Sequence, residues 1–235
     1  MNKISLSPAY VLHSRLFRET SLLVEIFTAE QGRISLIAKG VRGRNAERGR
    51  LLQPFLPLLL SWQGKSQQKL LTHVEAAYIP PFLSGQALAC GFYLNELIMR
   101  LLLHQDSHAG LYEAYHTALC ELRQTQLLGP ALRKFEFSLL KELGYGLCFD
   151  QDEQQQAIDP NAWYSFDSQK GFSPIYQPTH TQLPFCFLGA LLQAIGQNDY
   201  AQASVRADAK RLTQLALAPH LGSKPLASRE LLVVN

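Results

Sequence analysis

The strongest constraint on how this chain folds is the pair Pro80-Pro81. Two consecutive prolines remove two backbone donors and hold the residue before them extended, so neither a strand ladder nor a helix runs through them. The chain reads differently on either side. Residues 9–16, 21–28, 33–38, 57–62 and 69–78 are short runs rich in Ile, Val, Leu and aromatics, bounded by glycines and polar residues. That pattern is strand-like. From Ser84 onward the apolar residues recur at helical spacing over 84–104, 111–124 and 130–144. The prolines therefore divide the chain into a β domain, 1–80, and a helical domain, 81–235.

Five short strands in so few residues fit an OB-type barrel, with an SH3-like barrel as the competing topology. The alternation of apolar and polar residues is incomplete, as in a small barrel whose outer face is only partly solvated. The helix at 84–104 is apolar almost all round, with Glu96, Arg100 and His104 as its polar stripe, so neighbours bury it on most sides. Pro130 suits the first turn of a helix and Gly144 its end. Residues 145–182 look irregular, with short strands at 163–166 and 171–175. Helices resume at 184–196 and 203–218, and Ser228 can cap a last short one. The fold class is α+β.

Charge is unevenly spread. Residues 1–80 carry a net +6, residues 81–160 a net −5 and residues 161–235 a net +2. The excess concentrates in 39–50, which holds Lys39, Arg42, Arg44, Arg48 and Arg50 with three glycines and one acid. Five long cations this close repel one another unless an anion or water lies among them. The segment reads as a flexible basic loop on a small β domain, aimed at a polyanion; the plainer alternative is a solvated hairpin loop. With Arg33 just upstream, these six cations are the candidate phosphate contacts.

Other chemistry is thinly represented. The chain is 47% hydrophobic and 17% charged, as in a packed globular protein. Cys90, Cys120, Cys148 and Cys186 form no CxxC pair, which predicts a reducing compartment and no disulfide framework. No secretory leader is expected and no apolar run approaches membrane-spanning length, so the expected location is the cytoplasm. Gly64-Lys65-Ser66 lacks the upstream glycine of a phosphate-binding loop. His104, His108, His116 and Cys120 have ligand spacing, but Asp106-Ser107 and Gly110 interrupt the helix between them, so no metal is expected. Asp150, Asp152 and Glu153 could serve a magnesium-dependent nuclease only if held rigidly, and they lie in a Gln-rich loop. Arg133 and Lys134, beside Leu132 and Phe135, mix cations with apolar surface as an acidic peptide requires; Arg133 could instead simply pair with Glu136. Arg206, Lys210 and Arg211 form a second basic face.

Several stretches resemble one bacterial family. The run from Ala9-Tyr10-Val11-Leu12 through Arg18-Glu19, Phe27-Thr28 and Gly32-Arg33 to Ala38-Lys39-Gly40-Val41-Arg42 is similar to the start of the RecO recombination mediators, as is Leu52-Gln53-Pro54-Phe55. Ala131-Leu132-Arg133-Lys134-Phe135-Glu136, Leu143-Gly144-Tyr145-Gly146 and Ser228-Arg229-Glu230-Leu231-Leu232 resemble its later signatures. The resemblance implies an N-terminal five-stranded OB-fold and a helical domain with a small zinc-finger-like insert at about 148–182. It implies a non-enzymatic, nucleoid-associated DNA-repair protein that binds single- and double-stranded DNA and anneals complementary strands. It further implies engagement of the acidic tail of single-strand-binding protein and, with RecR, help in loading RecA. Many members carry two CxxC pairs in the insert; here only Cys148 lies nearby, so the insert is expected to lack zinc ligands. An OB-fold RNA-binding protein and a nuclease remain the alternatives.

Overall fold

The computed structural model describes residues 3–41, 46–64 and 68–232. The chain forms two compact units. One joins residues up to Thr125 with the stretch from Leu226 onward; the other runs from Gln126 to Pro225.

The first unit contains a closed five-stranded barrel. Its strands are β1 (Lys3–Phe17), β2 (Ser21–Thr28), β3 (Gly32–Ala38), β4 (Leu58–Gln63) and β5 (Gln68–Ala76), in the order β1-β2-β3-β5-β4. All pairs are antiparallel except β3 with β5. A short helix, α1 (Ala46–Leu51), lies between β3 and β4. This order makes the barrel OB-like and removes the SH3-like alternative. β1 is longer than its sequence suggests because Pro8 does not end it. Pro8 lies opposite Leu59 of β4, and the strand then turns through irregular registers at Ile4/Ser7 and Val11/His13 to pair with β2. One strand thus serves two neighbours by bending at a bulge.

Inward residues of all five strands form the core, among them Val11, Val24, Ile26, Ile34, Leu36, Leu60 and Trp62. Each such side chain contributes roughly 1.5–3 kcal/mol by leaving water. The outward Tyr10 and Phe27 are also fully buried, against Tyr112 and Tyr115. That second layer explains the incomplete alternation of β1 and β2. Tyr112 and Tyr115 belong to α3 (Ala109–Gln124), which follows α2 (Gly85–Leu101). The Tyr115 hydroxyl donates to Asn95 Oδ1 (2.6 Å), and Asn95 Nδ2 donates to the Leu12 carbonyl (2.8 Å), linking α3, α2 and β1 through satisfied buried groups. Arg123 braces the proline pair: its Nε donates to the Pro81 carbonyl (3.0 Å) and its Nη2 to the Phe55 carbonyl (2.6 Å).

The second unit holds α4 (Gly129–Glu142), β6 (Trp163–Asp167), β7 (Gly171–Ile175), β8 (Cys186–Leu188), α5 (Gly189–Gly196) and α6 (Ala203–Leu221). Within the irregular stretch, the short strands expected at 163–166 and 171–175 form a β6–β7 hairpin in a three-stranded sheet of order β7-β6-β8. Gly171 turns it at φ +87°, and the Asp167 carboxylate accepts the amides of Gln169 and Lys170. Residues 186–188, where a helix was expected, form β8 because Phe187 pairs with Tyr164 in that sheet; the helix begins only at Gly189. The cysteines differ in setting: Cys148 is exposed and Cys186 is buried in β8.

The last helix, α7 (Ser228–Leu232), belongs to the first unit. The Glu96 carboxylate of α2 accepts the amides of Ala227 (3.0 Å) and Ser228 (2.8 Å) and the Ser228 hydroxyl (2.7 Å), and pairs with Arg100 (2.7 Å). Burial by itself raises the Glu96 pKa; the Ser228 and Ala227 donors and Arg100 outweigh it and hold it below the ordinary carboxylate value.

Candidate nucleic-acid interface

The strand register decides which cations meet. Leu22 pairs with Ala38, so the β1–β2 turn sits beside the segment that leaves β3. Leu36 pairs with Lys69, which brings the start of β5 to that end of the barrel, and Gln63 pairs with Lys3. This rim therefore gathers the β1–β2, β3–α1 and β4–β5 connections, loops of the kind that bind oligonucleotides on OB folds. Lys39 and Arg18 stand exposed on it. Arg18 is held at φ 55° with its guanidinium 5.3 Å from the Phe17 ring centre. Sequence reasoning missed Arg18 because it is a single cation far from the basic run, and only the pairing of β2 with β3 joins them.

The basic run is not one continuous loop. Its second half is the helical turn α1, on which Arg50 is exposed and Arg48 donates through Nη2 to the Thr72 carbonyl (2.8 Å). Gly49 lies against Val41, where an added Cβ would stand 2.4 Å from the Val41 carbonyl oxygen. Arg42 and Arg44 lie outside the described residues.

Arg33 is at the other end of β3, roughly 20 Å from Lys39 at the usual rise per residue. Its guanidinium donates to the Met99 and Leu102 carbonyls and lies 2.6 Å from His104 Nε2 and 3.6 Å from Glu25. Burial pushes the Arg33 pKa down, and Glu25 opposes that shift. The loop between α2 and α3 closes over this end: Gln105 N–H donates to the Arg33 carbonyl (2.9 Å) and Ser107 to the Ala29 carbonyl (3.0 Å). Gly32 has φ +60°, and a Cβ there would lie 1.7 Å from the Asp106 carbonyl oxygen. Arg33 thus fastens the helices to the barrel instead of extending the basic rim.

A further rim lysine escaped notice in the sequence. Lys69 shares its face of β5 with the core residue Leu71 and pairs with the core residue Leu36. It is 7% exposed, and burial lowers its pKa. Among the described residues its ammonium has no hydrogen-bond or ion-pair partner.

The arginines of the second unit are engaged. Arg133, 7% exposed, donates to Glu136 Oε1 at 2.5 Å, and Glu136 is fully buried. Leu132 and Phe135 are buried as well, whereas Lys134 is half-buried. Tyr200 lies near this pair; burial, with Arg133 opposing, pushes its phenol up to about 12. Arg206 donates to the Tyr200 and Ala201 carbonyls. Arg211 donates to the Leu183 and Cys186 carbonyls and to Asp208, 4.3 Å from the Phe187 ring centre. Only Lys210 of that face is fully exposed.

Among the described residues no three His, Cys, Asp or Glu side chains gather as metal ligands. His116 lies between the Tyr10 hydroxyl (2.6 Å) and Cys120 Sγ (3.7 Å), whereas His104 is beside Arg33. The Asp152 carboxylate accepts the amides of Gln154 and Gln156 in its own turn. Among the described residues no helix is long and apolar enough to cross a membrane.

The family model for the recombination protein O N terminal matches residues 1–82, and that for its C terminal matches residues 83–230. The chain is 45% identical over 230 residues to the DNA repair protein RecO of Cellvibrio japonicus, covering 97% of each chain. It is 45% identical over 231 residues to that of Nitrosococcus oceani, covering 98% of this chain and 93% of the relative. It is 42% identical over 224 residues to that of Mannheimia succiniciproducens, covering 94% and 96%. With an OB-like barrel and matches along almost its whole length, this chain belongs to the RecO family.

Proposed function

We propose that the protein is a DNA-repair and recombination mediator that binds single- and double-stranded DNA on the β1–β2/β3–α1 rim of its barrel. It anneals complementary strands and, with RecR, helps load RecA onto strands coated by single-strand-binding protein. It works in the cytoplasm on nucleoid DNA and performs no covalent chemistry itself. The observation that carries the reading is the register that collects Arg18, Lys39 and the start of the basic run at one barrel end. Phosphates recognised by exposed lysine and arginine give binding that is insensitive to sequence and steeply dependent on salt, as a mediator requires.

In this reading residues 1–80 form the DNA-binding part and residues 81–235 the partner-binding part. Lys39, Arg42, Arg44, Arg48 and Arg50 supply phosphate contacts, and Arg33 acts by holding the barrel to its helices. For the acidic tail of single-strand-binding protein we keep α4, with Lys134 as its accessible cation. Arg133 takes part only if its pair with Glu136 opens.

Strand annealing tests the proposal. Complementary labelled strands, bare or coated with single-strand-binding protein, are mixed with the protein and Mg²⁺. Faster annealing with every strand intact is the expected result. Cleavage would move the reading to a nuclease, and preference for RNA of matching sequence would move it to an RNA-binding OB protein.

A further inference from the structure

Lys69 lies at the barrel rim but outside the basic run of 39–50. A lysine that faces a barrel core normally keeps its ammonium in water or sets it against a carboxylate, because an uncompensated buried charge is costly. Here the side chain lies with Leu36 and Leu71 on the inward face, and the residue is 7% exposed. No acid pairs with it among the described residues. Its position is also specific: it is the second residue of β5, beside the last turn of β3 and two residues from Leu71.

We propose that Lys69 is a phosphate-binding residue at the mouth of the barrel, holding one backbone phosphate of the bound strand between the ends of β3 and β5. This rests on the DNA-binding reading and adds a contact that charge density does not reveal. The exposed cations of the rim attract any polyanion. An inward lysine at the mouth instead fixes where the strand crosses the barrel, since its stem is packed and cannot sweep the surface. The packed stem holds the ammonium at the mouth, where a bound phosphate gives it the counter-ion that no described residue supplies.

The experiment compares the parent, Lys69→Met, Lys69→Arg and Arg42→Ala/Arg44→Ala, measuring binding of a labelled oligothymidine against salt and the melting temperature of each free protein. Lys69→Met should flatten the slope of log K against log[salt] by about 0.7, one phosphate contact on a single strand. It should also melt close to the parent's temperature, because it keeps the packed stem and breaks no ion pair among the described residues. Lys69→Arg should restore part of the slope. If Lys69→Met keeps the parent's slope while the double arginine variant flattens it, Lys69 merely reaches water and this inference is wrong, with the DNA reading intact. A lower melting temperature for Lys69→Met would show that the ammonium has a structural partner and would also overturn it. A parent that does not bind DNA takes down both.

Discussion

The barrel rim and the second unit both carry clustered cations, and they use them in opposite ways. At the rim, Arg18 and Lys39 are exposed and form no ion pair among the described residues. In the second unit, Arg133, Arg206 and Arg211 each donate to acceptors of their own unit, and Arg133 is buried with its carboxylate. The same residue type therefore serves recognition in one place and architecture in the other. What separates them is whether the fold has already supplied the acceptors. Charge density along the chain cannot show this, because a carbonyl acceptor leaves no mark in composition.

The contrast can be broken most forcefully at Arg133. Removing one member of a buried ion pair leaves the other charge uncompensated, at a cost of about 3–5 kcal/mol. Arg133→Ala should therefore lower the unfolding free energy of the second unit by that amount in a denaturant titration, whereas Lys39→Ala should change stability by less than about 0.5 kcal/mol. Equal, small effects would mean that Arg133 is a surface residue after all. A tail-peptide titration of Arg133→Ala has meaning only beside that stability measurement; Lys134→Ala should weaken the peptide with a smaller loss of stability than Arg133→Ala.

A smaller effect concerns the carboxylate that fastens α7. Glu96→Gln replaces charge-assisted hydrogen bonds with neutral ones and should cost about 1–2 kcal/mol. Hydrogen exchange at the α7 amides should quicken accordingly. Since the folded Glu96 is held below its ordinary value, its contribution is complete above the ordinary carboxylate range and lost as pH falls through the lowered folded value. The protection of the α7 amides relative to their intrinsic exchange should fall on acidification in the parent, and in Glu96→Gln it should lose that pH dependence. An unchanged pH profile in the variant would assign the acid sensitivity to another group.

Most of the barrel was legible because its strands are bounded by glycines and prolines and rich in β-branched residues. Pro8 hid the first half of β1, since a proline can sit in a strand whose irregular register spares its missing donor. β8 was hidden for a different reason: three residues between a proline turn and a helix carry no period, and only their pairing with β6 makes them a strand. The site was half legible. The basic run announces itself, but the separation of Arg33 from Lys39 follows from β3 lying between them, and the arrival of Arg18 and Lys69 follows from pairing. Long-range pairing is what local sequence signals lack.

The smallest expected change is at Arg33. Arg33→Ala should leave the salt slope of DNA binding unaltered while loosening the α2–α3 loop, seen as faster exchange of the Gln105 amide that donates to the Arg33 carbonyl. A flattened slope would return Arg33 to the phosphate-binding set.

The central claim, that DNA is held by the cations where the chain leaves β3, is tested most directly by the salt dependence of Arg42→Ala/Arg44→Ala. Each single-strand phosphate contact contributes a slope of roughly −0.7. The double variant should flatten log K against log[salt] by about 1.4, with melting behaviour like the parent's. A slope equal to the parent's would show that this segment is only a solvated turn, and that DNA, if bound, lies elsewhere on the molecule.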